Sequence, residues 1–515
     1  MTVDPISLEI FRNLFSSIAD EMGVVLGRTA YSSNIKERRD YSCALFDPDG
    51  VMVAQAAHIP VHLGAMTSSV NAALTNIQCE PGDIVILNDP YLGGTHLPDI
   101  TLVAPVFIEI PDENPVLVGF VANRGHHADV GGKTPGSLSI SKELYEEGLI
   151  IPPVKLFEKR RLNQPVIDLI TRNSRTPDQR RGDFSAQIAA IRTGENRLLT
   201  LVARYGLEVA QEHMDALLDY SETLTRKALT GIPSGEYRFS DIMDEDGVEG
   251  KEIPIVCNAI VDDGEITFDF TGTASQSDGC INAPLAVTES AALYVVRCLS
   301  GFHIPSNDGC RRPITIIAPK DSLVNASPSG AVSGGNVETS QRIVDVLLGC
   351  LAQAIPAIIP AASQGTMNNL LIGGKNPISH TSYVYYETIG GGMGAGPAQD
   401  GASGVQSHMT NTLNTPVEAL EFEFPLRIRQ YSIRRGTGGI GKYRGGDGIL
   451  REIEFLGPAH VTILAERRLK GPYGLMGGKP GGKGIDFLWR SENQTTTQLP
   501  AKISTEVSEG DVLSI

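Results

Sequence analysis

"DITLVAPVFIEIPDENPVLVGFVANRGHHAD", residues 99–129, decides how the chain folds. Two apolar runs flank the turn-rich "PDENP", so the stretch predicts an antiparallel hairpin. If its turn centres between residues 112 and 113, Asp99 falls opposite His126. Facing residues on one side of such a pair have Cβ atoms roughly 4.5–5.5 Å apart, near enough to share a metal ion. His96 lies just upstream in "GGTHLPD", where Pro98 disfavours a helix and leaves an extended loop. Both ends of the hairpin therefore deliver His96, Asp99 and either His126 or His127 to one place. Register is open by a residue or two, so the choice between the two histidines stays open.

Upstream, "DYSCALFDPDGVMVAQAAH" (40–58) carries a second hairpin signal around Asp47-Pro48-Asp49-Gly50. Pairing about that turn sets Asp40 opposite Ala57, one step from His58, and His62 follows. "GDIVILND" reads as a buried strand ending at Asp89. Five of the chain's ten histidines thus fall between 58 and 127, with Asp40, Asp89, Asp99 and Asp129 near them in sequence. Mixed histidine and carboxylate ligation with an open position suits a catalytic Zn or Mn, where bound water becomes a nucleophile. The plainer reading is solvated or hydrogen-bonded histidines, one of the pair acting only as a support for a ligand.

The remaining sequence bounds the class. A length of 515 residues implies two or three lobes, and a composition 41% apolar and 20% charged is that of a folded globular chain. A net charge of −17 argues against nucleic acid or an anionic membrane as partner. No apolar run reaches membrane-spanning length, and "MTVDPISLEIF" lacks the blocks of a secretory signal. The seven cysteines are scattered without a CxxC pair, which predicts reduced thiols in a cytoplasmic protein. Asp4-Pro5 starts an amphipathic helix over 5–27, and two helical patterns occupy 184–230. Short strands take over from about 234, a helix is predicted over 336–355 with Asn336 as its cap or as part of an anion-holding turn, and 380–515 is Gly-rich with short strands. The expected fold is α+β: a mixed, strand-rich, multi-lobed chain with an N-terminal helix and hairpins carrying a metal site. Its lobes are placed at 1–233, 234–360 and 361–515.

No nucleotide motif is present. "GHHADVGGKT" has His127 where a P-loop needs glycine, and Pro135-Gly136 follow in place of a helix. "GGGMGAG" (390–396) lacks the strand–turn–helix frame of a dinucleotide site. Gly391 and Gly392 either form a plain loop or let backbone approach a substrate. His408, Asn411 and Thr412 in "QSHMTNTLNTPVEALE" form a substrate cradle or ordinary turn chemistry.

The blocks "ERRDYSCALFD", "HLGAM", "LNDPYLGGTHLPDITLVAPVF", "RGHHADVGG", "SGGNVETSQRIVDVL", "HMTNTLNTPVEALE" and "RRGTGGIGKYRGGDGI" together resemble the hydantoinase B / 5-oxoprolinase family, from residue 37 to about 450. The resemblance implies a B-type subunit of an ATP-dependent enzyme opening a hydantoin, 5-oxoproline or lactam ring. It implies a hydantoinase A-type partner that uses the ATP to phosphorylate the amide oxygen, in a hetero-oligomer such as a dimer of heterodimers. It further implies a divalent metal, Zn or Mn, held by Asp40, His96, Asp99 and a histidine of the "GHH" pair, taken as His126. Metal-bound water would attack the activated carbon, and His127 or Asp129 would orient a ligand or shuttle protons. Gly391, Gly392, His408, Asn411 and Thr412 would line the substrate cavity. The alternatives are a subunit of an ATP-dependent ketone carboxylase, a non-catalytic stabilising subunit, or an amidohydrolase that needs no ATP. In one departure, members commonly continue past "GDVLSI" into a Gly-rich tail, and this sequence stops at Ile515.

Overall fold

The computed structural model describes residues 3–56, 59–109, 113–301 and 304–515. Asp4 accepts the Ser7 amide at 3.0 Å and Pro5 fits the first turn, so helix α1 runs Pro5–Thr29. Its stripe of Phe11, Phe15, Ile18, Met22 and Leu26 is buried. A single turn, α2 (Ser33–Lys36), leads into a seven-stranded sheet. Its strands are β1 (Tyr41–Phe46), β2 (Met52–Gln55), β3 (Ile84–Leu87), β4 (Asp99–Ile108), β5 (Val116–His126), β6 (Val154–Glu158) and β7 (Arg161–Leu162), in the order β2-β1-β5-β4-β3-β6-β7.

Helices cover both faces. On one side α1 and α5 (Pro177–Tyr205) pack on Cys43, Leu45, Ile100, Leu102 and Val121. On the other, α3 (His62–Asn76) packs through Met66 and Val70 on Ala44, Phe46, Val103, Phe120 and Ala122. Cover on both sides leaves every residue of β1 and β3 buried, which explains why neither strand alternates apolar with solvent-facing residues. Neither α3 nor α7 (Leu285–Ser300) is signalled by the sequence pattern, because small and polar residues dilute their apolar period.

The second hairpin takes the expected register, with Asp99 facing His126, and a bulge after Val106 shifts the pairing beyond it. Residues 110–112 of its turn lie outside the described residues. The first hairpin departs from expectation: Ala44 faces Gln55, where pairing about "DPDG" predicts Val53. The cause is the turn. Asp47 receives the Val51 amide on its side chain and donates its own to the Val51 carbonyl at 3.0 Å, so the loop closes wider than four residues. Ala57 and His58 lie outside the described residues.

After α4 (Gln164–Arg172), α5 and α6 (Leu207–Leu229) comes a four-stranded sheet of β8 (Gly235–Met243), β9 (Ile253–Asp262), β10 (Glu265–Asp269) and β11 (Ile314–Ile317). Its inner face meets α7 (Leu285–Ser300) and α8 (Ser340–Ala354). The predicted 336–355 helix is divided: Gly335–Thr339 form a widened π-turn before α8 starts. Asn336 is not a cap, because its side chain leaves the helix axis for His96. The last nine strands interleave between two sheets. β12 (Asn369–Lys375), β13 (Ser382–Thr388), β16 (Ala459–Leu464) and β19 (Lys502–Val507) make one of them. β14 (Leu426–Arg434), β15 (Gly448–Phe455), β17 (Asp486–Arg490), β18 (Thr495–Leu499) and β20 (Val512–Ser514) make the other. A shared core of Leu370, Ile372, Phe455, Val461 and Leu513 joins the two. Among the described residues no helix is long and apolar enough to cross a membrane.

Candidate metal centre

Strand alternation sorts the hairpin's side chains onto two faces. Arg124 of β5 reaches the Ser69 hydroxyl of α3 at 2.7 Å, whereas Asn123 reaches the Gln187 carbonyl of α5 at 2.8 Å. His126 shares parity with Arg124 and turns to the α3 side; His127 turns to α5. Asp99 opens β4 opposite His126. His96 comes from the loop behind a short 3-10 turn that Asp89 caps by accepting the Tyr91 amide at 2.9 Å. Gly93 adopts φ +85°, and a Cβ there would stand 2.3 Å from the Ser68 carbonyl oxygen, so the loop reaches α3 only with bare backbone.

Three side-chain atoms converge. His96 Nε2 and His126 Nδ1 each lie 3.1 Å from Asp99 Oδ1, and 3.2 Å from one another. All three residues are buried. Atoms bound at roughly 2.0–2.2 Å to one ion stand roughly 3.0–3.5 Å apart, which this triangle matches. Protons alone serve it poorly. Asn336 Nδ2 donates to His96 Nε2 at 3.1 Å, which makes that nitrogen an acceptor and sets its lone pair against Asp99 Oδ1. A divalent cation between the three atoms would take the lone pairs of both nitrogens and of the Asp99 oxygen, with the Asn336 amide giving up Nε2, so the residues present fit such an ion.

The electrostatics agree. Burial by itself would raise the Asp99 carboxyl. Without an ion it is positive charge on His96 and His62, with hydrogen bonds from His126 and His62, that holds it well below the usual carboxylate range. A divalent ion would supply that positive charge in place of the imidazole protons. Burial pushes His126 down against the opposing pull of Asp40 and Asp99, favouring the neutral imidazole that a metal needs. The second oxygen of Asp99 is fixed by Thr95 Oγ1 at 2.6 Å and faces His62 Nε2 at 3.3 Å. His62 is aligned in turn by Ser42 Oγ, 2.9 Å from its Nδ1. His62→Ala should therefore weaken divalent-ion affinity by about 10–100-fold, read by competition with a chromogenic chelator. Unchanged affinity would reduce His62 to a packing role.

The other expected residues divide. Asp40 precedes β1, which pairs with β5, and its carbonyl accepts the His126 amide at 3.0 Å. Its charge reaches His126, but its carboxylate is not one of the three converging atoms. His127 is held by Gln187 Oε1, 2.9 Å from its Nε2, and its ring packs on Phe184. Burial, then Arg180, pushes its pKa down to about 4. Asp129 is spent on Arg175 and on the Gly131 amide. Thr412 takes a hydrogen bond from Arg38, which lies over Tyr386, which stacks on His126 at 4.8 Å. His408 lies 3.7 Å from Asp345 Oδ1, and Asn411 is exposed. Gly391 and Gly392 line a separate cavity to which none of the converging residues contributes. The sequence offers His62 without a role, and reading it misses Arg38, Asn336 and Tyr386 as parts of this site. The "SGGN" block carries a signal for Asn336, but it reads equally as a helix start.

The family model Hydantoinase B/oxoprolinase matches residues 4–515. The 5-oxoprolinase 1 of Arabidopsis thaliana is 41% identical over 99% of this chain, which spans 41% of that protein's length. A putative B-type subunit of a D-/L-hydantoinase from Pseudomonas sp. (strain NS671) is 33% identical, covering 97% of this chain and 86% of its own. The crystal structure of the ATP-dependent caprolactamase from Pseudomonas jessenii shares the fold with a TM-score of 0.92 at 27% identity, covering 100% of this chain and 90% of that one. With a match along nearly its whole length, the chain belongs to the hydantoinase B/oxoprolinase family.

Proposed function

We propose that the chain is the B-type subunit of an ATP-dependent cyclic amidase, opening a hydantoin, 5-oxoproline or lactam ring with an ATP-binding A-type partner. The observation that carries this reading is the buried triangle of His96, Asp99 and His126 in a chain similar to a 5-oxoprolinase and to an ATP-dependent caprolactamase. An amide carbon is a poor electrophile. Phosphorylation of its oxygen in the partner gives an imidate carbon that accepts water. The protonated ring nitrogen then leaves as the C–N bond breaks, and hydrolysis of the resulting acyl phosphate releases phosphate. A divalent ion, Zn or Mn, supplies Lewis acidity and acidifies water. His96, Asp99 and His126 would hold it, with the Asp40 carboxylate beside them.

The chain's own residues do the rest. Thr95 and His62 fix the Asp99 carboxylate, and Tyr386 fixes the His126 ring plane. Arg38, anchored on Thr388 at 3.0 Å and Thr412 at 3.2 Å, places a fixed positive charge behind Tyr386, suited to an anionic substrate group. His127 and Asp129 act as positioning residues, bracing the end of β5 and the following loop through Gln187 and Arg175. Thr412, tied to Arg38 and Thr388, and the exposed Asn411 beside it would offer substrate contacts.

The test is the co-expressed pair with ATP against lactams, hydantoins and 5-oxoproline. Ring-opened product and ADP should form in step, and only with the two partners together. Bicarbonate-dependent ATP consumption with a ketone, and none with any cyclic amide, would overturn the reading.

A further inference from the structure

A cavity of about 640 Å³ lies among three glycine-rich loops, 390–396, 437–448 and 474–484, away from His96, Asp99 and His126. The glycines have a packing reason. A Cβ on Gly392 would meet the Gly446 carbonyl oxygen at 2.0 Å, and one on Gly446 would meet that of Ala402 at 1.9 Å. Backbone packs on backbone, so the walls are built by the fold.

Two lining side chains carry unmet hydrogen-bonding capacity. Gln364 is 9% exposed, and neither its Oε1 nor its Nε2 has a partner. It presses on Gly391, where a Cβ would come 2.1 Å from Oε1. Arg467 is 3% exposed at φ +62° and spends Nη2 on Asp241 at 2.7 Å and Asp345 at 2.5 Å. Its Nε is buried without a partner. Polar atoms left unpaired at such depth are costly, and these two side chains line a cavity from which water or a ligand can supply the partner.

The charge around them is one-sided. Arg434, Lys442, Lys479 and Lys483 line the same cavity, and among the described residues none makes an ion pair. No aspartate or glutamate lines it, in a chain whose net charge is −17. Ile359, Leu475 and Phe487 add apolar wall. The volume falls in the range of small-molecule sites, roughly 300–1,000 Å³.

We propose that this cavity is a second ligand site, distinct from the metal centre, that takes a small oxyanion (phosphate or carboxylate) carried on an apolar body. The Gln364 amide and Arg467 Nε meet its oxygens, the lysines balance its charge, and the apolar wall meets its body. The assignment is independent of the metal reading.

The test is calorimetric titration of the full chain with phenyl phosphate, benzoate and inorganic phosphate. Phenyl phosphate or benzoate should bind saturably at one site, and whichever binds tighter identifies the source of the oxyanion. Gln364→Leu, and Lys442→Ala combined with Lys479→Ala and Lys483→Ala, should each weaken binding by at least about tenfold. Gln364→Leu removes an unpaired amide, so its Tm should stay at or above that of the parent; the lysine variant is a surface change and tests the site if the first fails to fold. His96→Ala should leave binding unchanged. Absence of saturable binding, equal binding in both cavity variants, or loss of binding in His96→Ala would overturn the proposal. Inorganic phosphate binding as tightly as phenyl phosphate would overturn the apolar-body part of it.

Discussion

His96→Ala is expected to purify folded, to retain no stoichiometric divalent ion, and to lose partner-coupled ring opening. The argument rests on where His96 stands. Its Nε2 closes two edges of the triangle, at 3.1 Å from Asp99 and 3.2 Å from His126, so its removal leaves one nitrogen and one carboxylate oxygen. Loss of a group that merely supports a ligand costs roughly 10–100-fold in metal affinity. Loss of one of three converging donors should cost more, enough to empty the site in dilute protein. Folding should survive, because His96 sits on a loop and its Nδ1 has no partner, so truncation removes no tertiary hydrogen bond through that atom. The cost of the cavity should be about 1–3 kcal/mol. His127→Ala is the companion. It should lose stability, since that ring packs on Phe184 and holds Gln187, yet keep its metal. Elemental analysis of the two proteins separates the adjacent histidines. Full metal occupancy and activity in His96→Ala would sink the assignment.

The pairing of Asp99 with His126 is legible in the sequence because it is local: a turn and two apolar runs fix which residues face each other. The choice between His126 and His127 is harder, since a one-residue slip exchanges the faces of the strand. The structure separates them through α3 and α5, which cover opposite faces, and that distribution is tertiary. Asp40 shows the limit from another side. Hairpin logic seeks its neighbour near Ala57, but β1 also pairs with β5, across more than seventy residues, and this contact brings Asp40 to His126. Asn336 reads locally as a helix cap. It leaves that role because Gly335 lies so close to Asn282 that a Cβ would come 1.8 Å from its carbonyl oxygen, and the turn widens there. The glycine clusters are visible as clusters, but their backbone-on-backbone packing is not.

Glu466→Gln should lower stability by about 3–5 kcal/mol although it changes almost no volume. Glu466 is fully buried between elements of two sheets and helix α8. One oxygen accepts Lys502 Nζ of β19 at 2.6 Å, and the other accepts Arg342 Nη2 of α8 at 3.2 Å and the Asp244 amide beyond β8 at 2.9 Å. Burial alone would push the Lys502 ammonium down, but Glu466 outweighs it and keeps that pKa above its usual value. A neutral glutamine keeps the shape and removes the charge, which leaves Lys502 buried without its hydrogen-bonded counter-ion. The penalty is therefore desolvation that is no longer compensated, and adding Lys502→Met should recover part of it, since the stranded ammonium goes too. Chemical denaturation of parent, single and double variants reads the effect as a shift in midpoint. If the single variant unfolds with the parent, the buried charge contributes nothing. If the double variant is no better than Glu466→Gln, the loss comes from the Arg342 and Asp244 contacts and not from the ammonium.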